Sequence, residues 1–295
     1  MKKEMCEDYS EAFARYYDIL TQHKDYALET SALNELVDSL KIDQSCPLID
    51  IGCGTGTHSI KLSRLRKNPI SAFDISPPML REAIAKRSRV IFFSGSLLDI
   101  DTSAFSFAYS LYNVVNCITE LAELSNFFLQ VNRRLKLGGY YFFEFWNRAA
   151  VLEEPPVIVT RVIHSGREKV IRIAEPDISC LSDGILNLVY KIEITDVNGD
   201  LSQFESLHRL RLFDLADFQR CLRVAGFEIN FCRGALPSLS ENIRNERMLS
   251  ILVKKNGRTF IIKFVCASVF GSELNKIFGC SRFERKGGFK AASVA

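Results

Sequence analysis

Paired cysteines are missing from this chain. Nine cysteines, at 6, 46, 53, 117, 180, 221, 232, 266 and 280, are scattered over 295 residues without one Cys-x-x-Cys spacing. An odd, unpaired set makes a poor disulfide framework and a poor zinc site, so reduced thiols in a cytoplasmic protein, with no metal centre, are the expectation. Long apolar runs are also missing. The longest, near Phe260–Phe270, is about half a membrane span and contains Lys263, which argues against a transmembrane segment. Met1-Lys-Lys-Glu leads into an acidic, tyrosine-rich stretch and not into the apolar centre of a signal peptide. Tryptophan occurs once, at Trp146. The body of the chain lacks a basic groove: nine Lys or Arg against Glu273 and Glu284 put a local +7 on residues 254–290. That leaves about −4 elsewhere in a chain of net +3. A nucleic-acid partner is therefore not expected. The basic end reads as a solvated, partly disordered extension, with weak contact to an anionic surface as the other reading. Hydrophobic residues at 47% and charged ones at 25% are ordinary for a soluble domain with a sizeable core.

What is present starts at residues 48–56, Leu-Ile-Asp-Ile-Gly-Cys-Gly-Thr-Gly, an apolar run that ends in three glycines spaced two apart. Pro47 and Gly52 bracket a short buried strand, and the glycines let backbone approach a ligand without Cβ collisions. Thr57–Arg66 has helical composition, so a ligand at this turn would also meet a helix N-terminus. The dinucleotide fingerprint would need glycine at 57, where Thr57 stands. Asp50 inside the strand suits a cationic ligand better than a pyrophosphate. Asp74 closes a second short strand, Ile70–Ser76, 22 residues after Gly52, where a ribose-binding carboxylate belongs in a doubly wound sheet.

With these residues in place, 48–145 resembles the class I S-adenosylmethionine-dependent methyltransferases. Asp50-x-Gly52-x-Gly54-x-Gly56 is similar to their first motif, and Asp74-Ile-Ser-Pro-Pro-Met79-Leu to the second-strand acid and adenine-side segment. Gly95-Ser-Leu-Leu-Asp99 is similar to the loop after the third strand, and Leu137-Gly-Gly139 to the turn before the fifth. Ser96 stands where many relatives carry an acid. The resemblance implies S-adenosyl-L-methionine as cofactor, held by Asp50, Gly52, Gly54, Gly56, Asp74, Ile75, Met79, Leu98, Asp99 and Ser110, with Tyr17 closing over it.

The expected architecture is an α/β fold with a doubly wound, mostly parallel seven-stranded sheet. Residues 1–46 form an N-terminal helical lid or cap, 47–150 the cofactor-binding core, and 214–256 the rest of that core. Residues 257–295 form the basic tail. Strand and helix alternate through Leu48–Ile51, Ile70–Phe73, Val90–Phe93, Phe107–Tyr112 and Tyr140–Phe145. From Val157 the pattern becomes β-branched and alternating, with Asn198-Gly199 as a hairpin signal, so 151–213 reads as an antiparallel β insertion after the fifth strand. Asp214 and Gly226 bracket a helix as N-cap and C-terminal glycine.

The methyl acceptor must be argued from the site, because the fold hosts many acceptors. Asn113, Asn116, Trp146 and Tyr26 are the candidate acceptor-binding residues, with Trp146 either a core aromatic or a pocket wall. In Phe204–Arg211, alternation puts His208 on one face with Phe204, Ser206 and Leu210, either as a buried core histidine or as a base or orienter. The wider layout resembles N-methyltransferases of nucleotide-linked amino sugars, through Tyr17, Lys24-Asp-Tyr26-x-x-Glu29, Glu144-Phe-Trp146 and His208. That implies methyl transfer to a small polar acceptor, an amino-sugar amine. A hydroxyl acceptor and a non-catalytic cofactor-binding module stand as alternatives.

Overall fold

A computed structural model describes residues 4–6, 9–95, 97, 100, 105–241, 243 and 246–256. The basic tail 257–295 and the candidate cofactor residues Leu98 and Asp99, with Ser96 between them and Gly95, lie outside the described residues. In chain order the elements are β1 (Glu4–Cys6), α1 (Glu11–Leu20), α2 (Tyr26–Ser39), β2 (Leu48–Ile51), α3 (Thr57–Leu65), β3 (Ile70–Phe73), α4 (Pro77–Ala85) and β4 (Ile91–Phe93). They continue as β5 (Phe105–Ser110), α5 (Leu121–Arg134), β6 (Leu135–Trp146), α6 (Arg148–Glu153), β7 (Val159–Ser165), β8 (Glu168–Asp177), β9 (Ile185–Thr195), β10 (Leu201–Arg211), α7 (Leu215–Val224), β11 (Phe227–Gly234) and β12 (Met248–Lys255).

Seven strands form one sheet in the order β11-β12-β6-β5-β2-β3-β4, and only β12 runs against its neighbours. Strands β2 and β5 lie at its centre and are buried throughout. Their apolar runs do not alternate because helices cover both faces of the sheet. Successive residues of β6 show the two faces directly. Tyr141, Phe143 and Phe145 pack with Phe128 of α5 and Phe218 of α7, while Phe142 joins Leu33 of α2 and Ile60 of α3. Each such phenyl ring removed from water contributes about 1.5–3 kcal/mol. The helix ends follow from sequence. Ser10 and Asp25 accept from Phe13 and Leu28 backbone N–H groups at α1 and α2, Ser76 caps α4, and Asp214 with Asp217 forms a capping box on α7.

The insertion is a second sheet, β1-β10-β9-β8-β7, antiparallel except for the β1–β10 pair. Sequence placed residues 1–46 in the lid alone, whereas Glu4–Cys6 adds a strand to this sheet beside Phe204–Ser206. Helix α1 lies between the insertion and the core: Phe13, Ala14 and Leu20 pack with Ile163, Val170, Ile192 and Phe204 on one side and with Met79 on the other. The insertion therefore holds the lid helix in place over the carboxyl ends of the core strands.

Candidate active site

In an open α/β sheet, ligands bind beyond the carboxyl ends of the strands. A cavity of about 450 Å³ opens there, lined by residues 50–55 of the glycine turn, Asp74, Ile75 and Met79 after β3, Tyr112 and Val114 after β5, and Tyr9, Tyr17 and Tyr26 from the lid. The three glycines of the turn serve different purposes, although all have positive φ. A Cβ on Gly52 would meet the Val114 side chain at 2.6 Å, and one on Gly56 would meet the Phe92 ring at 2.8 Å. These two glycines keep protein out of protein, and Gly56 does not line the cavity. A Cβ on Gly54 would meet only the Tyr17 ring, at 3.9 Å, so its open side faces the cavity.

Two carboxylates line this cavity, and no Lys or Arg does among its described residues. Asp74 accepts the Gly54 N–H at 2.7 Å and the Ser76 N–H at 2.8 Å, which pins the turn to the end of β3. Burial raises its pKa above the ordinary carboxylate value, against those backbone hydrogen bonds. Asp50 takes a 2.5 Å hydrogen bond from Ser59, and burial pushes its carboxyl up to about 7. The expected helix N-terminus is present at α3, but an internal side chain already sits at it. Asp18 of α1 accepts from Thr55 Oγ1 at 2.6 Å and Thr57 Oγ1 at 3.2 Å, and pairs with Lys86 at 2.6 Å.

The other candidates separate into wall and scaffold. Tyr17, Ile75, Met79 and Tyr26 line the cavity, with Ile75 79% exposed beside Asp74. Ser110 does not. Its hydroxyl donates to Ile51 O at 2.8 Å and accepts from Tyr141 at 2.9 Å, inside the sheet. Asn116 is buried away from the cavity: its amide donates to Arg211 O at 2.7 Å and accepts the Trp146 N–H at 3.0 Å, tying β10 to β6. Trp146 packs with Val151, Leu186 and Leu210 under the insertion, and Asn113 sits at φ 50° before a short 3-10 turn. Neither lines the cavity. His208 keeps the face that alternation gave it, with Phe204, Ser206 and Leu210 all buried. However, it lies one aromatic layer behind the cavity. Its ring centroid is 4.8 Å from Tyr9 and Phe13 and 5.0 Å from Tyr190, its Nε2 is 3.0 Å from Ser206 Oγ, and burial pulls its pKa down to about 4.

Sequence reasoning passed over a different histidine. His58, on the first turn of α3, lines the cavity between the rings of Tyr26 and Tyr112, with centroids 4.9 and 5.1 Å away. Its Nε2 lies 3.0 Å from Glu29 Oε2, and the Tyr112 hydroxyl donates to the same carboxylate oxygen. Lys24 stands over the Tyr112 ring, 3.0 Å from its centroid, and burial pulls its ammonium down to about 8. Behind Tyr112, Glu144 accepts the Tyr112 and Leu236 N–H groups at 3.1 and 2.8 Å, and burial raises it to about 7. The sequence signal was the position of His58 two residues after the last glycine of the turn.

Residues 48–139 match the family described as Methyltransferase domain. A dTDP-3-amino-3,6-dideoxy-alpha-D-glucopyranose N,N-dimethyltransferase of Streptomyces fradiae is 25% identical over 240 residues, 77% of this chain and 88% of that protein. Among solved structures, Streptomyces venezuelae DesVI superposes with a TM-score of 0.69 at 21% identity, covering 84% of this chain and 98% of its own. CalS10 of Micromonospora echinaspora, an amino pentose methyltransferase solved with S-adenosylmethionine bound, gives 0.66 at 18%, covering 83% and 97%. Residues 48–139 are a methyltransferase domain, and the chain has the fold of S-adenosylmethionine-dependent methyltransferases. The cavity fits such a cofactor: two carboxyl groups face it with no Lys or Arg among the described lining residues, Gly54 leaves room, and Ile75 offers apolar surface beside Asp74.

Proposed function

We propose that this methyltransferase acts on the amine of a nucleotide-linked amino sugar. The cofactor, when bound, supplies an electrophilic methyl on a sulfonium. The chain's own residues then hold and orient it and deliver the acceptor nitrogen. Asp50, Gly52, Gly54, Asp74, Ile75, Met79 and Tyr17 would hold the cofactor. Tyr26, His58 and Tyr112 would form the acceptor side, with Glu29 behind them. The observation that carries this reading is that second wall: polar aromatic groups backed by the carboxylates of Glu29 and Glu144, with no Lys or Arg among the described lining residues. Glu29 and Glu144 outnumber the one ammonium behind this wall, Lys24 over the Tyr112 ring, so the wall favours an amine, and holding its nitrogen at near-attack distance supplies much of the acceleration. The names of the relatives at similar length support the same acceptor class.

The test is incubation with S-adenosylmethionine and dTDP-3-amino-3,6-dideoxy-D-glucose, followed by mass spectrometry. A gain of one or two methyl groups on nitrogen is expected. A panel in which only hydroxyl-bearing sugars gain a methyl would replace this reading with O-methylation.

A further inference from the structure

We infer that Glu29 and His58 form a proton-accepting pair for the acceptor amine, with His58 as general base and Glu29 as the positioning residue. This rests on the amine reading above. Three observations carry it. His58 is 92% buried yet lines the cavity, so its imidazole faces ligand and not bulk water. Its Nε2 is committed to Glu29 at 3.0 Å. A neutral imidazole that gives its Nε2–H to a carboxylate carries its lone pair on Nδ1, and among the described residues no hydrogen bond to Nδ1 occupies that pair. The Tyr112 hydroxyl donates to the same Glu29 oxygen, which fixes the carboxylate from a second direction.

Charge around the ring is arranged for a neutral resting base. Burial pulls the His58 pKa below the ordinary imidazole value, opposed by the Glu29 hydrogen bond and charge and assisted by Lys24 and Lys61. The groups facing it are Glu29 and Tyr26 from α2, Lys24 from the connection before α2, Tyr112 after β5 and Lys61 on its own helix. A sugar ammonium has no lone pair to offer. In the proposed step its N–H bond breaks, the electron pair stays on nitrogen, and the proton forms an Nδ1–H bond on His58. The resulting imidazolium is stabilised by the Glu29 carboxylate against its Nε2–H and later gives the proton to solvent. One proton is released per methyl gained, which balances the conversion of a primary to a secondary ammonium.

The experiment compares the full-length wild type, His58→Gln and Glu29→Gln in single turnovers with dTDP-3-amino-3,6-dideoxy-D-glucose from pH 6 to 9.5. At pH 7, His58→Gln should lose up to about tenfold in rate, since about one amine in ten of pKa near 8 is already deprotonated there, and the loss should deepen about tenfold per unit toward lower pH while His58 stays neutral. Its affinity for S-adenosylhomocysteine by calorimetry should stay within about threefold, since no cofactor contact is removed. The loss should shrink as pH rises through the acceptor's own pKa, about 8 by comparison with an α-amino group, because the amine then arrives deprotonated. In Glu29→Gln the acid limb of the profile should move to lower pH, because the charge that stabilises the imidazolium is gone. Glu29→Gln also carries the test should His58→Gln fail to fold. Wild-type turnover with a His58→Gln rate within threefold at pH 6, or a loss independent of pH, overturns the pair and leaves the amine reading standing. A wild type that methylates no amine overturns both.

Discussion

Replacing Asp74 with alanine tests the cofactor site most directly, and the structure divides its effect into two parts. A carboxylate offers about four lone-pair sites. Two serve the backbone N–H groups of Gly54 and Ser76, at 2.7 and 2.8 Å, the Ile75 N–H adds a weaker third, and the carboxylate also lines the cavity. Donors on the ligand, such as a ribose diol, would meet its cavity side as a charge-assisted pair. Losing the pair costs about 1.5–3 kcal/mol, roughly 10- to 150-fold in dissociation constant. The fold should lose less than two full backbone hydrogen bonds. Burial raises the Asp74 pKa, so the ionised carboxylate already costs the unliganded protein something that alanine removes. We expect a urea midpoint shift equivalent to about 1–2 kcal/mol, with circular dichroism unchanged. Titration calorimetry with S-adenosylhomocysteine reads the ligand part separately. Affinity within twofold of wild type, in a variant that still folds, would refute the assignment of Asp74 to the cofactor.

Three further outcomes are expected. Gly54→Val should abolish S-adenosylhomocysteine binding while the domain stays folded, since only the Tyr17 ring lies within 4 Å of the added Cβ and a φ of +56° costs about 1–2 kcal/mol; retained binding in calorimetry would mean that the turn is structural only. His208→Asn should lower the melting temperature, by the loss of about 1–3 kcal/mol of buried aromatic and hydrogen-bond contact, and leave turnover per folded molecule within a few-fold; a hundredfold fall in turnover at unchanged stability would return His208 to the chemistry. Asp50 has a folded pKa of about 7, above its unfolded value near 3.9, so its contribution to stability is best below pH 4 and declines as pH rises toward 7. Urea midpoints of wild type and Asp50→Asn should therefore diverge between about pH 4 and 7 in the variant's favour and run level above that, and a constant difference across the window would contradict the burial of that charge.

Local features of the chain were readable where residue type alone decides the backbone. Leu48–Ile51 and Ile70–Phe73 were placed to the residue, because Pro47, Gly52 and Asp74 punctuate them. The strand expected at Phe107–Tyr112 lies two residues earlier, at Phe105–Ser110, since nothing apolar distinguishes Leu111 and Tyr112. What ends that strand is backbone geometry, with Tyr112 and Asn113 both at positive φ. The seven-stranded sheet and the antiparallel insertion followed from periodicity, but the strand contributed by Glu4–Cys6 did not, because three residues carry no period. The acceptor side was the least readable. Ser110, Asn116 and Trp146 satisfy partners 30 to 95 residues away, and a polar residue after a strand looks the same whether it faces a ligand or a carbonyl. The Glu29–His58 contact spans 29 residues and joins two helices, so it became visible only once α2 packed on α3.

The Asp18 carboxylate at the start of α3 has a consequence for selectivity inside a cell. The first turn of a helix carries a partial positive charge and unpaired N–H groups, which phosphates seek. Adenine nucleotides share the adenosine half of the methyl donor and would otherwise compete for its place. Here an acid fixed by Thr55, Thr57 and Lys86 acts as a tethered competitor at that turn, and any phosphate must displace it or face its charge. The same acid belongs to helix α1, so it also ties that helix to the glycine turn. One side chain thus adds both to the rejection of phosphates at this turn and to the fastening of α1, and Asp18→Asn should give a gain in ATP competition against S-adenosylhomocysteine binding.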